Sequence, residues 1–176
     1  MASLVTHPIV PLSLALAAGQ KTIPWQLVLL GMLASMLPDA DVVAFRLGIP
    51  YGHMLGHRGL SHSLVFAVLL AVVIAALDRF KARRLATFLF ILAATASHGM
   101  LDALTTGGKG VGFLIPFTDE RYFFSIRPIL VSPLTAHEFF TARGLAILIS
   151  EIQAVWAPCA AVAICGIFYR RLTGRA

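Results

Sequence analysis

The sequence predicts an all-α fold: a polytopic membrane helix bundle of about five helices, forming one domain over residues 1–176, with a long irregular connection at 105–143 before the last helix. Three observations predict it. Of 176 residues, 59% are hydrophobic and only 12% charged, with a mean hydropathy of +0.86, whereas a soluble domain carries about 25% charged residues. Several apolar runs approach the roughly 20 residues that cross a hydrocarbon layer about 30 Å thick. Between them lie glycines, prolines and basic clusters, and helices are the open-ended way of satisfying backbone groups in lipid.

The first helix is expected from Ser3 to Gly19, with Pro8 and Pro11 near its start and the polar break Gly19-Gln20-Lys21 at its end. A second runs from Trp25 to Phe45, interrupted by Pro38-Asp39-Ala40-Asp41 and followed by an irregular stretch through Gly48, Pro50 and Gly52. The third, Leu60 to Leu77, ends in Arg79, Lys81, Arg83 and Arg84, and the fourth, Leu85 to Leu104, returns beside it as an antiparallel hairpin. Glycines between Gly107 and Gly112 open a connection too long for a simple turn. The fifth helix, Gly144 to Tyr169, contains Glu151 and stops at Arg170-Arg171. Cys159 and Cys165 fall six positions apart on it, where they pack as small residues and cannot bridge each other. Met1 to Val5 lack a basic side chain, so the first apolar stretch is expected to stay in place rather than serve as a cleaved signal.

The net charge of +6 does not point to nucleic acid, because the basic residues are spread thinly at the ends of apolar runs. Five crossings put Lys21, Arg79, Lys81, Arg83, Arg84, Arg170, Arg171 and Arg175 on one side. Arg46, Arg58, Lys109, Arg121, Arg127 and Arg143 fall on the other, in much longer connections. The positive-inside rule makes the first side cytoplasmic.

On this topology His7, Asp39, Asp41, His53, His57, His62, His98 and Asp102 all fall toward the non-cytoplasmic side. His7 lies 12 residues before Gly19, Asp39 14 after Trp25, His62 15 before Leu77 and His98 13 after Leu85. At about 1.5 Å per residue, the four reach roughly 18 to 23 Å from the cytoplasmic face. Ionisable groups at that depth must pair, bind something or line water, and neutral imidazole with carboxylate suits zinc and related ions. His98 and Asp102, four apart, share a helix face. Singly each residue has an ordinary role as cap, packing group or anchor; four helices delivering His or Asp to one depth favour a shared site. Which of Asp39 and Asp41, and which of His57 and His62, ligates directly stays open at this point. His53, His137 and Glu138 read as surface or outer residues. Glu151, buried within the last helix, needs a partner, for which Arg127 or Arg143 is the candidate.

Pro38-Asp39-Ala40-Asp41, His57-Arg58-Gly59-Leu60-Ser61-His62-Ser63, and Ser97-His98 with Asp102 and Thr105 resemble the YdjM-like family of membrane-bound metal-dependent hydrolases. Pro116-Phe117, Arg121-Tyr122-Phe123 and Arg127-Pro128-Ile129 extend the resemblance over most of the chain. It implies a multi-helix inner-membrane protein. Through a distant similarity to zinc-dependent phospholipase C and S1/P1-type nucleases, it also implies phosphoester hydrolysis. Those enzymes add a His-x-x-x-Glu pair that does not follow Asp102 here, which favours one or two ions over three.

On this basis Asp39, His62, His98 and Asp102 form the expected main shell of a divalent ion, zinc by preference, with His7 and bridging Asp102 holding a second. Asp41 or His57 is the expected general base or orienting group, and Arg58 the expected partner of developing phosphate charge. A site roughly 7 to 12 Å below the outer hydrocarbon edge suits a lipid or lipid-linked phosphoester. Phe113 to Phe124 is then an interfacial lid. The competing reading is a transporter passing metal or protons along the same residues, and a third is a metal that merely staples helices.

Overall fold

A computed structural model describes residues 1–77, 80, 82–133 and 140–174. Arg79, Lys81, His137, Glu138 and Arg175, named above, lie outside the described residues. The chain is all-helical: α1 (Ile9–Ala18), α2 (Trp25–Met36), a 3-10 turn (Leu37–Val42), α3 (Val43–Arg46), a 3-10 turn (Leu60–His62), α4 (Leu64–Ala76), α5 (Arg84–Ala103), α6 (Ala142–Glu151), a π turn (Ile152–Trp156) and α7 (Ala157–Leu172). Among the described residues three helical stretches are long and apolar enough to cross a membrane: Trp25–Arg46, Arg84–Ala103 and Ala142–Leu172. Residues 105–133 form no strand, only isolated bridges pairing Thr105 with Ile129 and Val111 with Tyr122.

Two helices are shorter than the sequence suggests. α1 spans 10 residues and α4 13, about 15 and 20 Å against a hydrocarbon thickness of about 30 Å. Each begins late, because the residues before it fold as turns. Pro8 has no amide hydrogen and occupies the first helix's N-cap. At α4 the Ser63 hydroxyl accepts from Phe66 N at 3.1 Å and sets the start there. α2 likewise gives way at Pro38 to a 3-10 turn. Non-helical backbone at membrane depth survives only where protein covers it, and these three irregular ends face one another.

α5 is the hub. It packs against α4, α2 and α1, while α1 packs along α7. Gly31 on α2 permits the closest approach, since a Cβ there would lie 2.4 Å from the Phe90 ring. On the other side, a Cβ on Gly166 would lie 2.5 Å from Ala17 Cα. Ala15, Ile23, Leu27, Val28, Ala34, Ala71, Ile74, Phe90 and Ile91 fill the half of the bundle toward the Gly19–Pro24 end. Val68, Leu69, Val72 and Val73 of α4, Leu145 and Ile149 of α6, and Ile164 and Phe168 of α7 point outward, as lipid-facing side chains should. Arg170 donates from Nη1 to the carbonyls of Leu16, at 2.7 Å, and Ala17, capping α1 with a cation at its negative end.

Candidate metal centre

α5 brings in its residues by simple periodicity, with His98 and Asp102 one turn apart on a buried face. α2 brings in two more through its ending. The last carbonyls of a helix lack intrahelical donors, and the Ser35 carbonyl accepts from His98 Nδ1 at 2.7 Å. That bond fixes the His98 tautomer and leaves Nε2 with its lone pair. The 3-10 turn beyond Met36 then places Asp39 and Asp41 on opposite errands: Asp39 faces His98, and Asp41 faces the segment 57–62.

Asp41 organises that segment. Its Oδ1 accepts from His57 Nδ1 at 2.6 Å, and its Oδ2 from Arg58 N at 3.1 Å and Ser61 Oγ at 2.6 Å. His62 Nδ1 lies 3.1 Å from the same Oδ2, a placing that suits an Nδ1–H donor and turns Nε2 inward. A carboxylate behind an imidazole is the arrangement that orients metal-ligating histidines.

Asp39, His62, His98 and Asp102 each offer one ligand atom, all within 4.8 Å of one another, and all four residues are buried. His98 Nε2 lies 3.0 Å from His62 Nε2 and 3.3 Å from Asp39 Oδ1. His62 Nε2 is 3.6 Å from Asp102 Oδ2 and 3.8 Å from Asp39 Oδ1. Bonds of 2.0–2.2 Å in tetrahedral geometry separate ligand atoms by about 3.3–3.6 Å, so the spacing is that of a coordination shell. Asp41, His57 and His62 also lie close enough together to share an ion. Their Nδ1 and carboxylate atoms already pair at hydrogen-bond distances, so that group is a network and needs no ion.

The fit test lies in the unpartnered atoms. Both Asp39 oxygens and both His7 nitrogens are buried without a hydrogen-bond partner, a cost of about 1–3 kcal/mol for each such group and more for charged ones, and Asp102 Oδ2 has the Arg58 ion pair in place of a hydrogen bond. A divalent cation suits this donor set. His7 stacks on His98, ring centroids 3.8 Å apart, and its Nε2 lies 3.9 Å from both Asp39 Oδ2 and Asp102 Oδ1. Each carboxylate thus turns one oxygen to His62 and the other to His7.

Arg58 takes a place that its expected role did not foresee. It is fully buried with φ of +61°. Nε pairs with Asp102 Oδ2 at 2.9 Å, Nη1 donates to the Gly107 carbonyl at 2.9 Å, and Nη2 to Thr105 Oγ1 at 3.1 Å. All three guanidinium nitrogens are thereby engaged within the fold rather than free to meet a phosphate. Gly108, at φ +92°, lets the connection pass this close, because a Cβ there would lie 2.7 Å from Arg58 Nη1. The Tyr51 ring has Lys109 and Arg121 over it, each 5.8 Å from its centroid, and burial pushes its hydroxyl pKa up.

The segment 105–133 closes over the site and is pinned to it. Gly112 N donates to the Arg58 carbonyl and Leu64 N to that of Phe113, at 2.9 and 3.0 Å. Arg121 reaches the carbonyls of His57 and His53, both at 3.0 Å. His53 itself is exposed, as expected, and its Nδ1 accepts from Leu55 N. Glu151 corrects the sequence reading. Among the described residues no ion pair involves it, and neither Arg127 nor Arg143 is its partner; instead it accepts from Ser3 and Thr6. Residues that sequence reasoning missed, Ser35, Arg121, Ser3 and Thr6, act through a backbone carbonyl or from turns, where no periodic signal marks them.

Comparison with known proteins agrees with this architecture. The chain is 42% identical over 160 residues to the inner membrane protein YbcI of Escherichia coli strain K12, covering 90% of this chain and 92% of that one. No solved structure matches. The sequence model of the YdjM inner membrane protein family matches residues 1–174, and the chain therefore belongs to the YdjM inner membrane protein family.

Proposed function

We propose that this membrane protein is a metal-dependent hydrolase acting on a phosphoester of a lipid or lipid-linked substrate, with Asp39, His62, His98 and Asp102 holding a divalent ion, zinc by donor chemistry. One observation carries the reading: two imidazole Nε2 atoms lie 3.0 Å apart beside the unpartnered Asp39 oxygens, while the Nδ1 of each ring is engaged elsewhere. With both rings in the Nδ1–H tautomer the two lone pairs converge, and a shared cation fits between them. Charge supports it too: among the described residues Asp39, Asp102 and Glu151 are buried with one buried guanidinium, Arg58, and the Met1 ammonium 4.0 Å from Asp102, so a cation balances the excess of carboxylates. The orientation of both carboxylates toward His7 favours a second ion there.

When bound, such an ion supplies Lewis acidity and acidifies water from a pKa of 15.7 toward about 7. Asp41 holds the His57 and His62 rings; His57, its Nδ1 proton on Asp41, keeps Nε2 as a proton acceptor and is the proposed base. Arg58, engaged with Asp102, is assigned a positioning role in place of the phosphate contact first expected of it. A lipid substrate is favoured by the depth of the cluster and by an apolar groove of about 420 Å3 beside α1, lined by Ile9, Leu12, Leu16, Ile152, Trp156 and Ala163. Ile9 follows His7 by two residues. The site is assigned to the non-cytoplasmic side on the basic residues of the opposite face.

Transport fits less well. The bundle beyond the site is closed by the apolar cluster around Leu27, Val28, Phe90 and Ile91, and the hydroxyls of Ser35, Thr95 and Ser97 fold back on carbonyls of their own helices. A panel of phospholipids and water-soluble phosphodiesters, offered to metal-loaded protein in detergent, tests the proposal. Turnover that disappears in His98→Ala is expected; no turnover across the panel together with metal flux in vesicles would replace hydrolysis by transport.

A further inference from the structure

We propose that Glu151 is the positioning residue for His7, clamping the non-helical segment 1–8 so that the His7 ring is held against His98. The inference rests on the metal-site reading above and assigns to that site a residue some 50 positions beyond its last ligand in sequence.

Residues 4–8 run as turns before α1 begins, so no helix fixes the direction of His7. Its ring makes no hydrogen bond of its own. Two carboxylates fix the segment, and Glu151 takes most of the bonds. Glu151 is fully buried, and its Oε1 accepts from Ser3 N at 2.5 Å while its Oε2 accepts from Ser3 Oγ at 2.5 Å and Thr6 Oγ1 at 2.8 Å. Trp156 Nε1 adds a bond to Thr6 Oγ1 at 2.8 Å. All these donors are neutral, and hydrogen bonds to a carboxylate in a desolvated place are roughly twice as strong as neutral ones. From the other side, Asp102 Oδ1 accepts from Ala2 N at 2.9 Å. The segment is thus held by a ligand of the proposed centre and by Glu151, with His7 next to Thr6.

The helix is shaped for this grip. Glu151 closes α6 and Trp156 ends the π turn that follows. In an α-helix residues five apart point in different directions, whereas an i→i+5 turn brings them into line, and π turns of this kind recur at functional sites. Here the turn lets Glu151 and Trp156 meet on one hydroxyl.

Metal binding by the full chain in detergent, followed with cobalt and a competing chelator, tests the inference. Glu151→Ala is expected to lower affinity about ten- to a hundredfold, the usual effect of losing an outer support, and to change the cobalt absorption spectrum as His7→Ala does. Glu151→Gln, which keeps one acceptor oxygen, is expected to recover most of both. Because Glu151 acts through His7, adding Glu151→Ala to His7→Ala should change affinity by less than about twofold. Should Glu151→Ala fail to fold, Thr6→Val, which removes one hydroxyl from the clamp and the acceptor of Trp156, is expected to show the same spectral change in weaker form. Wild-type affinity and spectrum in the folded Glu151 or Thr6 variant, or fully additive losses with His7→Ala, would overturn the inference alone. A wild-type protein that binds no cobalt or zinc would overturn the metal site itself, and this inference with it.

Discussion

Asp41 touches none of the unpartnered atoms of the site, yet four donors from 57–62 converge on it. An amide in its place would turn a donor toward one of those donors, releasing His57 or His62. Asp41→Asn is expected to weaken metal binding about 10- to 100-fold, measured by chelator competition; unchanged affinity would remove Asp41 from the support of His62. Arg58 invites a different test. Arg58→Met takes from buried Asp102 its 2.9 Å guanidinium partner, a loss of about 3–5 kcal/mol of stability in the metal-free protein, to be read as a lower unfolding temperature in detergent. At this scale the sequence showed His98 and Asp102 plainly, because they sit on a regular helix with a period. It did not separate His57 from His62 or Asp39 from Asp41, since each pair lies in turns where direction is set by hydrogen bonds from elsewhere. The partners of Glu151 escaped for a related reason. Charge complementarity pointed to Arg127 or Arg143, while the carboxylate is satisfied by hydroxyls and an amide from a turn.

α1 and α4 are too short to span, and their shortness builds the site. Turns replace their site-facing ends, put imidazoles where a helix would have put apolar stripes, and are tolerated because α5, the last helix and segment 105–133 cover them. Sequence placed both helices correctly but began them early, at Ser3 and Leu60, because apolar composition continues through the turns. Close contact of α1 with α7 depends on Gly166. Gly166→Ala is expected to cost about 1–3 kcal/mol by overpacking against Ala17, seen as a lower unfolding temperature in detergent with metal content of the folded fraction unchanged. Equal loss of metal would mean that this contact, and not only Glu151, sets the place of His7.

Across the whole molecule, polar chemistry is gathered at one end and the opposite half is packed with apolar side chains. That polarity was legible from charge counts and helix lengths alone, since it follows from the distance each ligand lies along its helix. Orientation is testable at Phe117, which is 83% exposed on segment 105–133: Phe117→Cys is expected to react with an impermeant thiol reagent added to intact cells, and labelling only after lysis would reverse the assigned sides. The most direct test of the account is the metal content of the purified full chain, determined by elemental analysis after zinc loading and removal of free ion. At least one tightly held equivalent per chain in the wild type, lost in both His98→Ala and Asp102→Ala, is the predicted result. A folded wild type without stoichiometric metal, or variants that hold as much as it does, would contradict it.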